Sequence, residues 1–89
     1  MTEVLMLSED NHGLLAICKD VPTAIDFLVN ECWLMEDTQV WDNDKHDWVF
    51  IKELLGENWQ INLKLMMAHE LTDLFEDWLY FEWVAVQGT

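Results

Sequence analysis

The sequence predicts an α+β fold, in which an N-terminal β-hairpin and a C-terminal strand form one antiparallel sheet and two or three helices pack on it. Two short apolar runs joined by a turn-rich segment open the chain, apolar residues recur at helical spacing through its middle, and a run of β-branched and aromatic residues comes last. The 89 residues, 52% of them hydrophobic, suit one domain spanning residues 1–89.

The hairpin is predicted from apolar runs at residues 4–7 and 14–18. The segment between them is rich in turn-forming residues and ends at Gly13. Two apolar runs joined by such a segment are typical of a β-hairpin.

The first helix is predicted over residues 22–34. Pro22 suits the first turn of a helix, and Thr23 with Asp26 three residues later resembles a capping box. The apolar residues that follow at helical spacing are Ile25, Leu28, Cys32 and Met35.

Residues 36–47 are polar and turn-like, with a short strand at residues 40–41 as an option. Asp47 is a candidate N-cap for a second helix over residues 48–55, which Gly56 would end. A further helical pattern covers residues 61–78, and we expect any break in it near residues 67–69.

The last element is a strand over residues 79–86, dominated by β-branched and aromatic residues. It is apolar on nearly both faces, with Glu82 the exception. This pattern favours a strand that is covered on both sides or central in the sheet.

The charge of the chain is strongly one-sided. It contains 18 acidic residues, four lysines and no arginine, for a formal net charge of −14. Residues 36–47 hold five acids and one lysine, and residues 70–89 hold five acids and no base, whereas residues 48–69 are neutral. A folded surface of this kind repels nucleic acid and membranes and attracts basic partners.

The candidate partner-binding residues belong to these two acidic segments. In the predicted last helix, acids at i, i+3 and i+7 form a stripe whose members rise ~4.5–6 Å apart, close to the spacing of phosphates along a nucleic-acid strand. A solvated polar face is the simpler interpretation of one such helix, but the bias extends over the whole chain. The candidates are Glu36, Asp37, Asp42, Asp44, Asp47, Glu70, Asp73, Glu76 and Asp77.

The sequence contains no convincing motif for catalysis or metal binding. Asp42, Asp44 and His46, followed by Glu53, have the spacing of a calcium loop, but Asp47 occupies the place where the loop needs glycine. A turn explains these residues more simply. The three histidines lack zinc-ligand spacing, and the single serine has no adjacent base. We therefore predict no enzymatic activity, no metal and no cofactor.

The cysteines and the lengths of the apolar runs indicate the cellular compartment of the protein. Cys18 and Cys32 form no CxxC pattern and each sits in an apolar run, which favours buried free thiols over a disulfide between them. The N-terminus lacks a basic signal region, and no apolar run approaches the ~20 residues of a membrane span. We expect a cytoplasmic protein that binds neither membranes nor nucleic acid directly.

Six tryptophans divide by their surroundings. Those within apolar patterns, which we expect in the core, are Trp33, Trp78 and Trp83. Those in or beside polar segments, which we expect to be partly exposed, are Trp41, Trp48 and Trp59. The exposed group could anchor a protein interface or stack on helix ends.

Residues 7–13, 24–28 and 54–59 resemble segments of small acidic proteins encoded by phages and prophages of Gram-positive bacteria. The resemblance spans most of the chain and transfers no functional residue. It implies an inhibitor of host defence, of the DNA-mimic or anti-CRISPR type, acting in the host cytoplasm.

Two functions therefore stand as expectations. The first is a non-enzymatic inhibitor that occupies a basic nucleic-acid-binding surface of a host protein, such as a nuclease or a CRISPR effector. The alternative is a small structural or adaptor protein, with a homodimer as one option, that acts through exposed aromatic residues such as Trp41 and Trp59.

Overall fold

The computed structural model describes residues 2–76 and 78–86. Within them the chain forms five strands and four helices, in the order β1 (Thr2–Glu9), β2 (Gly13–Cys18), α1 (Val21–Glu31), β3 (Gln39–Asp42), β4 (Asp47–Phe50), α2 (Ile51–Leu55), α3 (Trp59–Lys64), α4 (Ala68–Leu74) and β5 (Leu79–Val86). The predicted α+β architecture is confirmed, with four short helices in place of two or three.

β1 is the central strand of a three-stranded antiparallel sheet with the order β2-β1-β5. Leu5 pairs with Cys18 on one side and with Trp83 on the other. Leu5 and Leu7 are fully buried because alternate residues of a strand point to the same face, here the face that carries the helices. The N-terminal hairpin and the C-terminal strand thus share one sheet, as predicted.

β5 lies at the edge of this sheet, so a central position, or cover on both faces, was the wrong expectation. Helix α4 packs on the first half of β5, where the Thr72 hydroxyl accepts a hydrogen bond from the Phe81 backbone N–H at 3.0 Å. The seven residues of α4 span about 10 Å and the eight of β5 about 26 Å, so the helix cannot cover the whole strand. Trp83, which we expected in the core, is consequently 42% exposed.

Helix α1 begins close to the predicted position but with a different cap. Asp20 is the N-cap, and its Oδ1 accepts hydrogen bonds from the Thr23 backbone N–H at 2.9 Å and from the Thr23 hydroxyl at 2.6 Å. Asp26 is instead exposed on the helix surface, 2.7 Å from the Lys64 ammonium. The helix buries one apolar face against the sheet, with Ala24, Ile25 and Leu28 among its buried residues.

The helix predicted over residues 48–55 is wrong in its first half. Residues 47–50 form β4, which pairs with β3 in a separate two-stranded sheet, and only residues 51–55 are helical. Trp48, Val49 and Phe50 are aromatic or β-branched and suit a strand once a partner strand is present. The helix ends at Gly56, as predicted, with a φ of 86° that favours glycine.

The helical pattern at residues 61–78 divides into α3 and α4. The break lies at residues 65–67, close to the expected place, where Met67 adopts an extended conformation before Ala68. Met67 follows Leu63 and precedes Leu71 at helical spacing, but the break leaves it exposed to solvent, whereas Leu63, Leu71 and Phe75 are buried.

One cluster of buried apolar residues joins the helices to the inner face of the three-stranded sheet. The same cluster includes Val40 and Val49 of the β3–β4 hairpin. Trp33 and Trp78, which we expected in the core, are partly buried and pack against this cluster at its edge, with ring centroids 5.1 Å apart. Trp59 is buried as well, so its expected exposure is wrong. It opens α3 on the side that faces the core.

Candidate functional site

The two acidic segments meet around one cleft, here named the Trp41 cleft. Asp42 and Asp44 reach it from the turn between β3 and β4, and Glu70 and Asp73 reach it from α4. The cleft has a volume of about 340 Å³. Its apolar lining comes from Trp41, Leu54, Met66 and Leu74. Four of the nine candidate carboxylates are therefore brought together by the fold.

The turn that carries Asp42 and Asp44 is stabilised by hydrogen bonds that backbone N–H groups donate to the Asp42 side chain. Asp42 is only 8% exposed, and its Oδ1 accepts from the backbone N–H groups of Asp44 at 2.9 Å and Lys45 at 3.3 Å. His46 closes the turn in the left-handed region, with a φ of 52°. An aspartate whose side chain folds back on the next residues is a standard way to stabilise such a turn. Asp42 thus shapes the turn as well as contributing charge.

Trp41 is held in place beside the turn. Its indole N–H donates to Asn43 Oδ1 at 2.9 Å, and its ring packs edge to face against Trp48, with centroids 5.6 Å apart. This arrangement fixes one wall of the cleft, because an aromatic pair held by a hydrogen bond has little rotational freedom. Trp41 and Trp48 are both partly exposed, as expected.

Helix α4 presents Glu70, Asp73 and Leu74 to the cleft, since residues three and four apart lie on the same side of a helix. Glu70 also stabilises the start of this helix, because its Oε1 accepts a hydrogen bond from the Met67 backbone N–H at 2.9 Å. Thr72, on a different side of the helix, ties α4 to β5. The position of the two carboxylates is therefore set by the packing of α4 on the main sheet.

The remaining candidate acids lie elsewhere. Glu36 and Asp37 line a second cleft of about 520 Å³ around Phe50, here named the Phe50 cleft. Asp47 lies on a third surface with Trp48. Glu76 follows α4 in an exposed turn with a φ of 50°, and does not line the Trp41 cleft. The continuous stripe expected on the last helix is thus absent from the described residues, because α4 ends at Leu74. Asp77 lies outside the described residues.

Lysines pair with three of the four acids that line the Phe50 cleft, whereas within the described residues they pair with none of those in the Trp41 cleft. Lys52 Nζ lies 3.5 Å from Glu36 and 3.7 Å from Glu57, Lys45 lies 3.7 Å from Glu53, and Lys64 pairs with Asp26. Among the described residues, no lysine or histidine lies within ion-pair distance of the four Trp41-cleft carboxylates. The Trp41 cleft is therefore a concave, uncompensated negative surface with an apolar lining.

The residues with calcium-loop spacing do not come together around one point in the structure. Asp42 and Asp44 form the turn and line the Trp41 cleft, whereas Glu53 lies on α2 next to Lys45. In the part of the chain that the structure describes, no three Asp, Glu, His or Cys side chains are grouped to hold a metal ion. His12 contacts Glu9 at 3.1 Å, far along the chain from the other histidines.

Both cysteines are free thiols, but only Cys18 is buried. Cys32 caps the end of α1 and is exposed, which corrects the expectation that both would be buried. Burial raises the pKa of the Cys18 thiol, and the Asp20 carboxylate raises it further. Partial desolvation raises the pKa of Cys32, with added repulsion from Glu9 and Glu31. Neither thiol has the electropositive surroundings of a nucleophilic cysteine.

The sequence contained a signal for the Trp41 cleft that we did not use. Residues 40–42 read Val-Trp-Asp and residues 47–49 read Asp-Trp-Val, and in the structure these triplets pair residue for residue. A mirrored pattern around a polar turn is the expected mark of a short hairpin. The apolar lining from Leu54, Met66 and Leu74 had no comparable signal, because these residues come from three different parts of the chain.

None of the helices within the described residues has the length and apolar character needed to cross a membrane. Comparison of the chain with protein families, with curated proteins and with solved structures returned no match.

Proposed function

We propose that this protein is a non-enzymatic acidic inhibitor that binds a basic nucleic-acid-binding surface of a host defence protein, such as a nuclease or a CRISPR effector. The observation that carries the proposal is the Trp41 cleft, where four carboxylates from two distant segments converge without a paired cation among the described residues.

The cleft suits lysine and arginine side chains of a partner. Their charged heads would lie among Asp44, Glu70 and Asp73, and their apolar stems would lie along Leu54, Met66 and Leu74. The Trp41 ring adds a surface over which a cation is attracted. The net charge of −14 would speed the encounter with a basic channel and repel competing nucleic acid.

The target is found by affinity capture from host lysate at low salt, with elution by a salt gradient and identification by mass spectrometry. The proposal predicts nucleic-acid-binding proteins that elute at moderate salt, since binding to a phosphate channel weakens steeply as salt increases. The captured protein is then tested for displacement of labelled DNA or RNA. A target without nucleic-acid affinity, or one that survives high salt, would contradict the proposal.

A matched pair of triple variants tests the cleft. Asp44→Asn, Glu70→Gln and Asp73→Asn remove three charges from it, and the amide oxygen introduced by Glu70→Gln can still accept the hydrogen bond from the Met67 N–H. The control variant removes three exposed charges elsewhere, at Glu3, Asp10 and Glu31. We expect the cleft variant to lose about tenfold or more in affinity and the control to lose much less. Equal losses would assign binding to bulk charge rather than to the cleft.

A second candidate function is an adaptor that binds through aromatic residues. Trp59 is buried and cannot contribute, but Trp48 and Phe50 lie on the same side of β4 and are 39% and 51% exposed. Exposed aromatic side chains are frequent anchors of protein interfaces. Binding that resists salt and is lost in a Trp48→Ala, Phe50→Ala variant would favour this function over the inhibitor.

A further inference from the structure

The main sheet has a second, outer face that the helices do not cover. Residues of β1 alternate, so that Leu5 and Leu7 point into the core while Val4 and Met6 point outward. Met6 is flanked by Ile17 of β2 and Glu82 of β5 in the same cross-strand row. Ile17 is 61% exposed and Met6 is partly exposed, whereas Glu82 also lines a cleft with His69 of α4.

The outer face is apolar and nearly free of charge. Val4 pairs with Val84 in the next row. The rows beyond contain the exposed residues Leu14 and Val86, together with the uncharged polar residues Thr2, Ser8 and Tyr80. Among the acids of the three strands, Glu3 and Glu9 lie on the opposite face and only Glu82 lies on this one. Although the chain has 18 acidic residues, this face carries few carboxylates, in contrast to the acidic clefts.

The small number of charges on the outer face indicates which kind of partner can bind there. A basic partner would gain little here, because the face offers a single carboxylate, whereas the Trp41 cleft offers four. Two copies of a chain with a charge of −14 repel each other over most of their surfaces. They can approach with least repulsion through the outer face, where apolar rows meet apolar rows. Sheets that pack face to face in this way are common in β-sandwiches.

The placement of Glu82 is compatible with such a pairing. A two-fold axis along β1 would put Met6 against Met6 of the second copy. The same rotation would place Glu82, on edge strand β5, over the opposite edge strand β2 of the second copy. The two Glu82 side chains would then be separated by two strand spacings, about 10 Å, measured across the strands. They would lie at the rim of the interface, where water and salt screen their charges.

We propose that this protein forms a weak homodimer through the outer face of its main sheet. The strands lie about 4.8 Å apart; β1 and β5 are about 26 Å long and β2 about 20 Å, so each copy has a footprint of at most about 14 by 26 Å. Two such footprints total roughly 730 Å², below the ~1,000 Å² of a stable specific interface, so the dimer is weak and forms only at high protein concentration. Salt strengthens it, because screening reduces the repulsion between the two acidic chains. The inference does not depend on the proposed function.

The test is sedimentation velocity of the full chain over a range of concentrations at low and moderate NaCl. We expect a monomer–dimer equilibrium that shifts toward dimer as salt increases. Ile17→Asp should weaken dimerisation by about tenfold or more. Ile61→Asp is the matched control, because Ile61 is 59% exposed but lies on α3. It adds the same charge and should leave dimerisation nearly unchanged.

A second pair of variants distinguishes an effect on dimerisation from a folding defect. Glu82→Gln removes the one charge of the outer face and should strengthen the dimer, a gain that a folding defect cannot produce. Glu3→Gln removes a charge from the opposite face of the same sheet and should have a smaller effect. A monomer at every concentration and salt level would overturn the proposal. Equal weakening by Ile17→Asp and Ile61→Asp, with circular dichroism unchanged, would also overturn it.

Discussion

Asp42 and Asp47 face each other across the β3–β4 hairpin, as the last pair before its turn. Like charges directly opposite in an antiparallel pair destabilise it. The fold offsets part of this cost locally, since Asp42 accepts hydrogen bonds from Asp44 and Lys45 and Asp47 accepts one from the Trp48 backbone N–H at 2.8 Å. Two carboxylates therefore lie side by side at this end of the molecule.

Neutralising one member of this pair should stabilise the protein. Asp47→Asn keeps an oxygen for the Trp48 N–H and removes the repulsion, so the free energy of unfolding should rise by roughly 0.2–1 kcal/mol. Urea denaturation at low salt measures it, and the gain should shrink in NaCl. Asp37→Asn, an exposed acid outside any strand pair, is the control. If Asp37→Asn stabilises as much, the gain reflects net charge rather than the pair.

The Asp20 cap should make stability sensitive to acid. Hydrogen bonds from the Thr23 hydroxyl and backbone N–H lower the pKa of Asp20 below its ordinary value of 3.8. A lowered folded-state pKa means that the contribution is complete above the ordinary pKa and is lost as the pH falls through the folded-state value. Asp20→Asn retains a good cap, so it should match the wild type at neutral pH and lose less stability in acid.

Thermal melts from neutral to acidic pH compare wild type, Asp20→Asn and Asp20→Ala. Asp20→Ala should have a lower melting temperature at neutral pH because the cap is removed. Identical acid profiles for the wild type and Asp20→Asn would show that this carboxylate does not contribute to acid sensitivity.

The Thr72 hydroxyl links α4 to β5, and its removal should be costly. It accepts from the Phe81 N–H at 3.0 Å and donates to the Ala68 carbonyl at 3.2 Å. Thr72→Val keeps the shape but leaves the Phe81 N–H without this acceptor, so the free energy of unfolding should fall by roughly 1–3 kcal/mol. Thr72→Ser, which keeps the hydroxyl, should lose less. Little loss in Thr72→Val together with a larger loss in Thr72→Ser, measured by chemical denaturation, would assign the role of Thr72 to packing alone.

The two thiols should differ in reactivity. Cys32 is exposed and should react with iodoacetamide in the native protein, whereas Cys18 should react only after unfolding. Because desolvation, Glu9 and Glu31 raise the pKa of Cys32, its reaction should be slow near neutral pH and rise at higher pH than that of a free cysteine. Glu31→Gln should shift this profile toward lower pH. Mass spectrometry of the alkylated peptides gives both rates.

Much of the fold was predictable because its signals are local. Alternating or continuous apolar residues predicted β1, β2 and β5, and Pro22 with Thr23 predicted where α1 begins within about a residue, although the cap itself is Asp20. The helical prediction at residues 48–50 failed because aromatic and β-branched residues accept either conformation. Pairing with residues 39–42 decided in favour of the strand.

The sequence by itself determined the composition of this protein's surfaces: a charge of −14, two acidic segments and enough apolar residues for one core. Only the tertiary structure decided which acids lie close together, since Asp42 and Glu70 line the same cleft through the packing of α4 beside β3. It also decided that β5 is an edge strand, which leaves Trp83 and the outer sheet face exposed. Charge and apolarity are properties of single residues, whereas neighbourhood and exposure depend on contacts between residues far apart in the chain.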